Sequence, residues 1–308
     1  MKKVLLTGAS GFIGRHCLEP LLARGYEVHA VSSKPPGAAP AQPGVHWHQA
    51  DLLQAGAGRA LLAEVKPSHL LHMAWYVVPG KLISAPENFS WVTSSLELVR
   101  QFAEQGGKRM TLCGSGYEYD WAYGYCSEKL TPAVPNTVYG ACKQALQLLV
   151  RSLVQQQTQT GLSAAWGRVF FLYGPGEHPD RLISSVILSL LRGDPAKCSH
   201  GRQIRDYMHV QDVANGMVAL LDSAVDGVVN VSSGQATTLR EMVLTVGRLL
   251  ERPELIQLGA IPARANDTPL VIGENLRLLS DVGWQAQFDL ESGLKQTIDW
   301  WRRNPPKK

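Results

Sequence analysis

No run of apolar residues in this chain reaches the length of a bilayer span, and the stretch Val4-Leu5-Leu6 behind Met1-Lys2-Lys3 stops at Thr7-Gly8, too early for a secretory leader. No Cys-x-x-Cys pair occurs either. The five cysteines (Cys17, Cys113, Cys126, Cys142, Cys198) are scattered and odd in number. That pattern argues against structural zinc and for a reducing compartment, so a cytoplasmic protein without metal or membrane segment is expected. A Lys/Arg cluster is missing as well. The net charge of +4 is spread thinly, with its densest point at Arg302-Arg303 to Lys307-Lys308. Nucleic acid is therefore a poor partner, whereas a small anionic substrate is compatible. With no low-complexity run or internal repeat, 45% hydrophobic and 18% charged residues describe an ordinary globular chain. Its 308 residues allow one large α/β unit with a second lobe.

What is present is an alternation. Short apolar runs at Lys3 to Thr7, Glu27 to Val31, Val45 to His48, His69 to Met73, Arg109 to Cys113 and Ser163 to Phe170 read as strands. Between them, Ile13 to Arg24, Gln54 to Val65, Trp91 to Gln105 and Val138 to Gln157 read as helices. This is the pattern of βαβ units feeding a doubly wound parallel sheet. Ser32 to Gly44, rich in Pro, Gly and Ala, reads as a surface loop. Beyond about residue 168 the alternation breaks into loops at Tyr173 to Pro179 and Ile261 to Pro269 and shorter helices at Asp180 to Arg192 and Leu239 to Leu250. The expected division is a nucleotide-binding domain at 1–168 and a smaller C-terminal α/β substrate lobe at 169–308, with some segments crossing back.

Thr7-Gly8-Ala9-Ser10-Gly11-Phe12-Ile13-Gly14 sets three glycines at GxxGxxG spacing between a buried strand and a helix. Residues without Cβ let the backbone approach a pyrophosphate, and the helix start adds free amides and the positive dipole end. At the end of the second strand, a fold selective for NAD normally places an acidic residue against the adenosine ribose. Here it reads Val31-Ser32-Ser33-Lys34, and Arg15 follows the third glycine. Hydroxyls and cations suit a 2′-phosphate, so NADP(H) is the preferred cofactor, with NAD(H) possible. Asp51-Leu52, after the third strand, is placed to meet the adenine edge, and Asp51 is equally placed to cap the next helix.

Tyr139 and Lys143, in Tyr139-Gly140-Ala141-Cys142-Lys143, stand one helical turn apart and share a face. A lysine charge close to a phenol lowers its pKa, and a tyrosine tuned that way works as a general acid or base near neutrality. Ser115, in Leu112-Cys113-Gly114-Ser115-Gly116-Tyr117-Glu118-Tyr119, lies at the carboxyl edge of the sheet, where open α/β folds bind ligands. With the glycine loop, Tyr173-Gly174-Pro175 and Arg205-Asp206-Tyr207-Met208-His209-Val210-Gln211-Asp212-Val213-Ala214, the chain resembles the extended short-chain dehydrogenase/reductase family. That family holds nucleotide-sugar epimerases, dehydratases and reductases.

The resemblance covers most of the chain and implies a Rossmann sheet, a nucleotide-diphosphate sugar as substrate and a homodimer built through the helices at Trp91 to Gln105 and Val138 to Gln157. It makes Tyr139 the acid/base, Lys143 its pKa modulator and ribose ligand, and Ser115 a hydrogen-bond donor to the reacting oxygen. Gly8, Gly11, Phe12, Ile13, Gly14 and Ala74 fall among its cofactor contacts; Trp75 and Tyr117 fall among its substrate contacts. Arg205 corresponds to an arginine used against the diphosphate, the alternative being an ion pair with Asp206, and Arg181 is a candidate second clamp. Asp212 is expected to cap a helix. The aromatic residues Trp75, Tyr76, Trp91, Trp121, Tyr123 and Tyr125 either line the sugar pocket or pack the core.

Departures narrow the implied reaction. Gly116 and Tyr117 stand where dehydratases of this family have an Asp-Glu pair, and Tyr117 lies near the cysteine of its 3,5-epimerising reductases. Phe171 replaces an asparagine common ahead of the Tyr-Gly-Pro motif. His72 to Tyr76, Glu118 to Trp121 and Phe170 to Pro175 look like the subgroup that reduces nucleotide-linked 4-keto-6-deoxyhexoses, abequose synthases among them. The expected function is thus NADPH-dependent reduction at C4, with Tyr139 as proton donor. The alternatives are a nucleotide-sugar 4-epimerase with tightly bound NAD and a non-catalytic NAD(P)-sensing protein.

Overall fold

The computed structural model describes residues 2–35, 43–156, 161–263 and 267–306. Residues 36–42 of the expected Ser32 to Gly44 loop lie outside them, as do 264–266 of the Ile261 to Pro269 loop, Gln157, Lys307 and Lys308. Through the first half run β1 (Lys2–Thr7), α1 (Gly14–Ala23), β2 (Tyr26–Ser32), β3 (Val45–Gln49), α2 (Ala57–Val65), β4 (His69–His72), α3 (Glu87–Glu104), β5 (Arg109–Ser115), β6 (Tyr125–Cys126), α4 (Val138–Gln156) and β7 (Ser163–Val169). The second half holds β8 (Phe171–Tyr173), α5 (Leu182–Arg192), β9 (Ala196–Lys197), β10 (Ile204–Arg205), β11 (Tyr207–His209), α6 (Val210–Asp222) and β12 (Gly227–Val231). It ends with β13 (Thr237–Thr238), α7 (Leu239–Leu249), β14 (Ile256–Gln257), β15 (Leu270–Gly273), α8 (Leu276–Ser280) and α9 (Leu290–Arg303).

Seven strands form a sheet in the order β12-β7-β5-β4-β1-β2-β3, and every neighbouring pair is parallel. The chain moves outward from β1 to β2 and β3, then returns to β4 on the other side of β1. The reversal opens a crevice at the carboxyl ends of β1 and β4, the place where such sheets bind nucleotides. Alternation along β1 makes the sheet two-sided: Leu5 packs with Leu70, Met110, Leu98 and Leu146 on the α3/α4 face, while Val4 and Leu6 pack with Leu21, Val213 and Met217 on the α1/α6 face. A third core joins α5, α7 and α9 through Ile187, Met242, Val246, Leu294 and Trp301.

The chain crosses between its halves in both directions. Beyond residue 169, β12 joins the large sheet beside β7 and α6 packs on α1. In return, β6 from the first half pairs with β15 in a small sheet ordered β13-β10-β15-β6. The starts of α2 and α3 differ from the sequence expectation by three or four residues. α2 begins at Ala57 rather than Gln54, because Gly56 sits at its N-cap with a φ of 79° and interrupts the helix. α3 begins at Glu87 rather than Trp91, behind Pro86, whose ring sets a φ of −65° suited to a helix start.

Candidate active site

The glycine loop is shaped by contacts that leave no room for side chains. Gly8 has a φ of +66°, and a Cβ there would fall 2.8 Å from Ala74 N; a Cβ on Gly14 would fall 2.1 Å from Gly8 O. The first contact brings the loop after β1 against the loop after β4; the second seats α1 on the turn. A cradle that a Cβ would fill, at the start of a helix, fits a dinucleotide pyrophosphate. Thr7 Oγ1 steadies the crossing by accepting the amides of Met73 and Ala74 at 3.2 Å each. His72 bridges Thr7 and Ser95 at 2.8 Å each, and burial pushes its pKa down to about 3, so the ring is neutral. Phe12 and Ile13 are half-buried beside the loop, and Arg15 folds back to donate to Gly11 O (3.0 Å) and Ser10 O (3.2 Å).

At the end of β2, Ser32 is buried and its Oγ accepts Lys34 N at 3.1 Å. Ser10 Oγ lies 3.0 Å from Ser32 Oγ, a neighbour that sequence spacing did not single out although a hydroxyl between the first two glycines was there to be read. Ser33 and Lys34 are exposed. Asp51 caps a turn instead of α2, accepting Leu53 N at 3.1 Å and Gln54 Nε2 at 3.3 Å, and Leu52 is buried in the core.

Ser115 ends β5 as the N-cap of the 3₁₀ turn Gly116–Glu118, and its Oγ accepts Tyr117 N at 3.2 Å. Tyr139 and Lys143 are both buried on α4. Gly140 between them is what lets the helix close on this turn, since a Cβ there would sit 2.2 Å from Tyr117 O. Ser115 and Tyr139 share a side-chain hydrogen bond. The sequence predicts a phenol with a lowered pKa beside Ser115 and Lys143, and the structure brings Ser115 and Tyr139 together. The electrostatics differ from that prediction: burial pushes the Tyr139 phenol up, and the Ser115 bond opposes the rise only in part. Lys143 is directed elsewhere. Its Nζ donates to Cys113 O at 2.7 Å, lies 3.7 Å from the Trp75 ring centre and 6.0 Å from that of Tyr139. Burial lowers its pKa to about 8.

Trp75 thus sits under the lysine, stacked on Trp91 at 6.2 Å, with its indole NH bonded to Asn88 Oδ1 at 2.8 Å. From Tyr139 a run of rings passes through Tyr117 (5.8 Å), Trp121 (4.3 Å), Phe171 (5.9 Å) and Tyr207 (5.7 Å). Tyr123 and Tyr125 are exposed instead, and Tyr76 packs at the edge of the first core. Arg205 ends the run: its guanidinium lies 5.4 Å from the Phe171 ring centre.

Arg205 does not pair with Asp206. Its Nη2 donates to Asp267 Oδ1 at 2.5 Å, while Asp206, in the step between β10 and β11, is completely buried with partners of its own. There Asp206 accepts Ser233 N and Oγ, both at 2.7 Å, and Gly234 N at 2.9 Å. Arg181 is exposed at the N-cap of α5, and its charge is felt, with that of Arg205, at the buried Tyr207 hydroxyl. Asp212 is not a helix cap either. His209 holds that place in α6, and the Asp212 carboxylate accepts Gln287 N and Phe288 N at 3.0 Å each. Glu118, unassigned from sequence, is completely buried and accepts Ser115 N at 2.7 Å. Among the described residues no cluster could hold a metal ion, and no helix is long and apolar enough to cross a membrane.

Known proteins share this fold over nearly the whole chain. UDP-glucose 4-epimerase of Neisseria meningitidis serogroup B is 25% identical over 340 residues, spanning 99% of this chain and 98% of its own. The structure of Thermus thermophilus UDP-glucose 4-epimerase complexed with NAD aligns with a TM-score of 0.86 at 25% identity, over 98% of this chain and 99% of that one. MoeE5 in complex with UDP-glucuronic acid and NAD aligns at 0.82 and 29% identity, with coverage of 98% and 99%. The model of the NAD dependent epimerase/dehydratase family matches residues 4–232, three-quarters of the chain, and the chain belongs to that family.

Proposed function

We propose that this protein is an NADPH-dependent reductase of a nucleotide-linked 4-keto-6-deoxyhexose. The observation that carries the reading is the end of β2, where the Ser10 and Ser32 hydroxyls lie 3.0 Å apart, exposed Ser33 and Lys34 follow, and the strand ends without a carboxylate. Such a set favours a 2′-phosphate, and the dinucleotide, oxidised to NADP by giving up its hydride, would leave after each turnover. A nicotinamide bound in the crevice supplies the hydride. The chain's own residues do the rest: Ser115 and Tyr139 hold the O4 oxygen, and Tyr139 gives it a proton as negative charge grows there. Lys143, its Nζ 6.0 Å from the Tyr139 ring centre, would supply positive charge near the site and would be the residue to hold the nicotinamide ribose. Trp75 orients Lys143, Tyr117 and the rings beyond it form the sugar wall, and Arg181 and Arg205 face the diphosphate.

Elimination of water is disfavoured by the same site. Gly116 and Tyr117 carry no carboxyl, and Glu118 one residue on is enclosed with both oxygens bonded. A second reading, a nucleotide-sugar 4-epimerase that retains NAD, is favoured by one specific finding: the relatives named above include UDP-glucose 4-epimerases, and the structural neighbours hold NAD. We further propose the division at residues 168 and 169 as the functional one between cofactor and substrate lobes, a cytoplasmic location and a homodimer through α3 and α4, whose Phe89, Leu148 and Leu149 are exposed.

Purified protein separates the two readings. Denaturing it and assaying the released dinucleotide is expected to yield none, or NADP(H) lost readily on dialysis. Stoichiometric NAD that survives dialysis overturns the reductase reading in favour of the epimerase.

A further inference from the structure

Glu118 is fully buried, and each of its oxygens is engaged. Oε1 accepts Ser115 N at 2.7 Å, Trp166 Nε1 bridges both oxygens at 2.9 and 3.0 Å, and Oε2 accepts Arg168 Nε at 2.7 Å. Arg168, itself buried over the Tyr119 ring, donates its Nη2 to Gln144 Oε1 at 2.8 Å. Gln144 is the residue after Lys143 on α4. A buried chain of charge-assisted bonds therefore runs from the Ser115 backbone, through the neighbouring strand β7, to the turn of α4 that carries Lys143. The surrounding backbone makes room for it: a Cβ on Gly114 would fall 2.1 Å from Trp166 Nε1 and 2.7 Å from Glu118 Oε1.

Stability alone is a poor reason for this arrangement, since burying an ion pair costs about as much in desolvation as it returns, and apolar residues of similar volume often do as well. Its geometry has a functional consequence. The carboxylate and the Ser115 hydroxyl form a reciprocal capping box, so Ser115 is fixed from both sides of the turn. We infer that Glu118 is a positioning residue: its carboxylate holds Ser115 and, through Arg168 and Gln144, keeps it in register with Tyr139 and Lys143. The inference rests on Ser115 and Tyr139 acting together on the substrate oxygen, as proposed above. Glu118 also sets the charge around them, its negative charge raising the proton affinity of both Tyr139 and Lys143.

The test compares Glu118→Ala and Glu118→Gln with the wild-type full chain in kcat, KM, the pH profile of kcat and backbone amide exchange of residues 113–119. A misplacement on the ångström scale costs about 100-fold in rate. Glu118→Ala is expected to lower kcat by roughly that factor, with KM for the sugar nucleotide and the dinucleotide Kd within about twofold. Glu118→Gln keeps an acceptor for Ser115 and is expected to recover part of the loss, while both variants shift the kcat profile to lower pH, because removing the negative charge lowers both proton affinities. Unchanged kcat and profile in folded Glu118→Gln overturn the inference. If Glu118→Ala fails to fold, Glu118→Gln carries the test. If the wild type turns over no sugar nucleotide, the functional reading fails separately, and amide exchange decides the positioning claim: at least about tenfold faster exchange at Ser115 and Tyr117 in Glu118→Gln supports it, and unchanged exchange overturns it.

Discussion

The Lys143 ammonium lies 3.7 Å from the centre of the Trp75 ring and donates to the Cys113 carbonyl at 2.7 Å. It is held by a π-face and a strand end, with no carboxylate bonded to it among the described residues. A charge kept this way in a buried place is poised to lose its proton, and burial has lowered its pKa to about 8. Below pH 8 the lysine is charged in both folded and unfolded chains. Between pH 8 and about 10.4 the unfolded chain binds the extra proton, so this group makes stability rise with pH across that window. Urea unfolding of wild type and Lys143→Met should diverge in that direction, by on the order of a few kcal/mol. Parallel curves contradict the buried-ammonium account.

Tyr139→Phe removes the proposed proton donor and keeps the ring that packs against Trp75 and Tyr117. General acid catalysis contributes about 10²–10⁴-fold, so kcat should fall within that range while dinucleotide binding and urea midpoint stay near wild type. Steady-state kinetics with a fluorescence titration of the dinucleotide checks this.

Gly140→Ala tests the closure of α4 on the Ser115 turn. In a free helix alanine is favoured over glycine by about 1 kcal/mol. Here the new Cβ would lie 2.2 Å from Tyr117 O, a backbone atom that cannot swing aside. The steric term should win: overpacking costs about 1–3 kcal/mol, and the misaligned site should lose activity as well. Urea unfolding and kcat measured on the same preparation check both.

Ser32→Asp probes the cofactor. Aspartate can accept the Lys34 amide as Ser32 Oγ does, so the strand end should survive. Its charge repels a 2′-phosphate and accepts from a ribose 2′-hydroxyl. The ratio of Kd for NADPH over NADH should rise at least about tenfold, equivalent to about 1.4 kcal/mol.

Much of this arrangement was legible in the sequence because it depends on period and on glycine. The runs Val4 to Leu6 and Arg109 to Cys113 read as buried strands, and the three glycines marked a turn that leaves no room for a Cβ at Gly8 and Gly14. Tyr139 and Lys143 share a face by spacing alone. What escaped was set by distant partners. The Lys143 head went to Cys113 O and Trp75 rather than toward the phenol, and burial outweighed the expected lowering of the Tyr139 pKa. Asp267, 62 positions from Arg205, and Gln287 and Phe288, at 75 and 76 from Asp212, lie beyond any local rule. Glu118 has no role that local sequence assigns; only pairing of β5 with β7 brings Trp166 and Arg168 to it.

The central claim, that Ser115, Tyr139 and Lys143 support a net reduction, is met most directly by offering CDP-, dTDP-, GDP- and UDP-linked 4-ketohexoses with NADPH or NADH. Absorbance of the reduced nicotinamide and product stereochemistry are read from the same tubes. The account predicts that one of the 6-deoxy-4-keto substrates consumes NADPH in stoichiometric amounts, faster than NADH, and yields a 4-hydroxy sugar. Interconversion of C4 epimers of a UDP-hexose with no net cofactor consumption contradicts it.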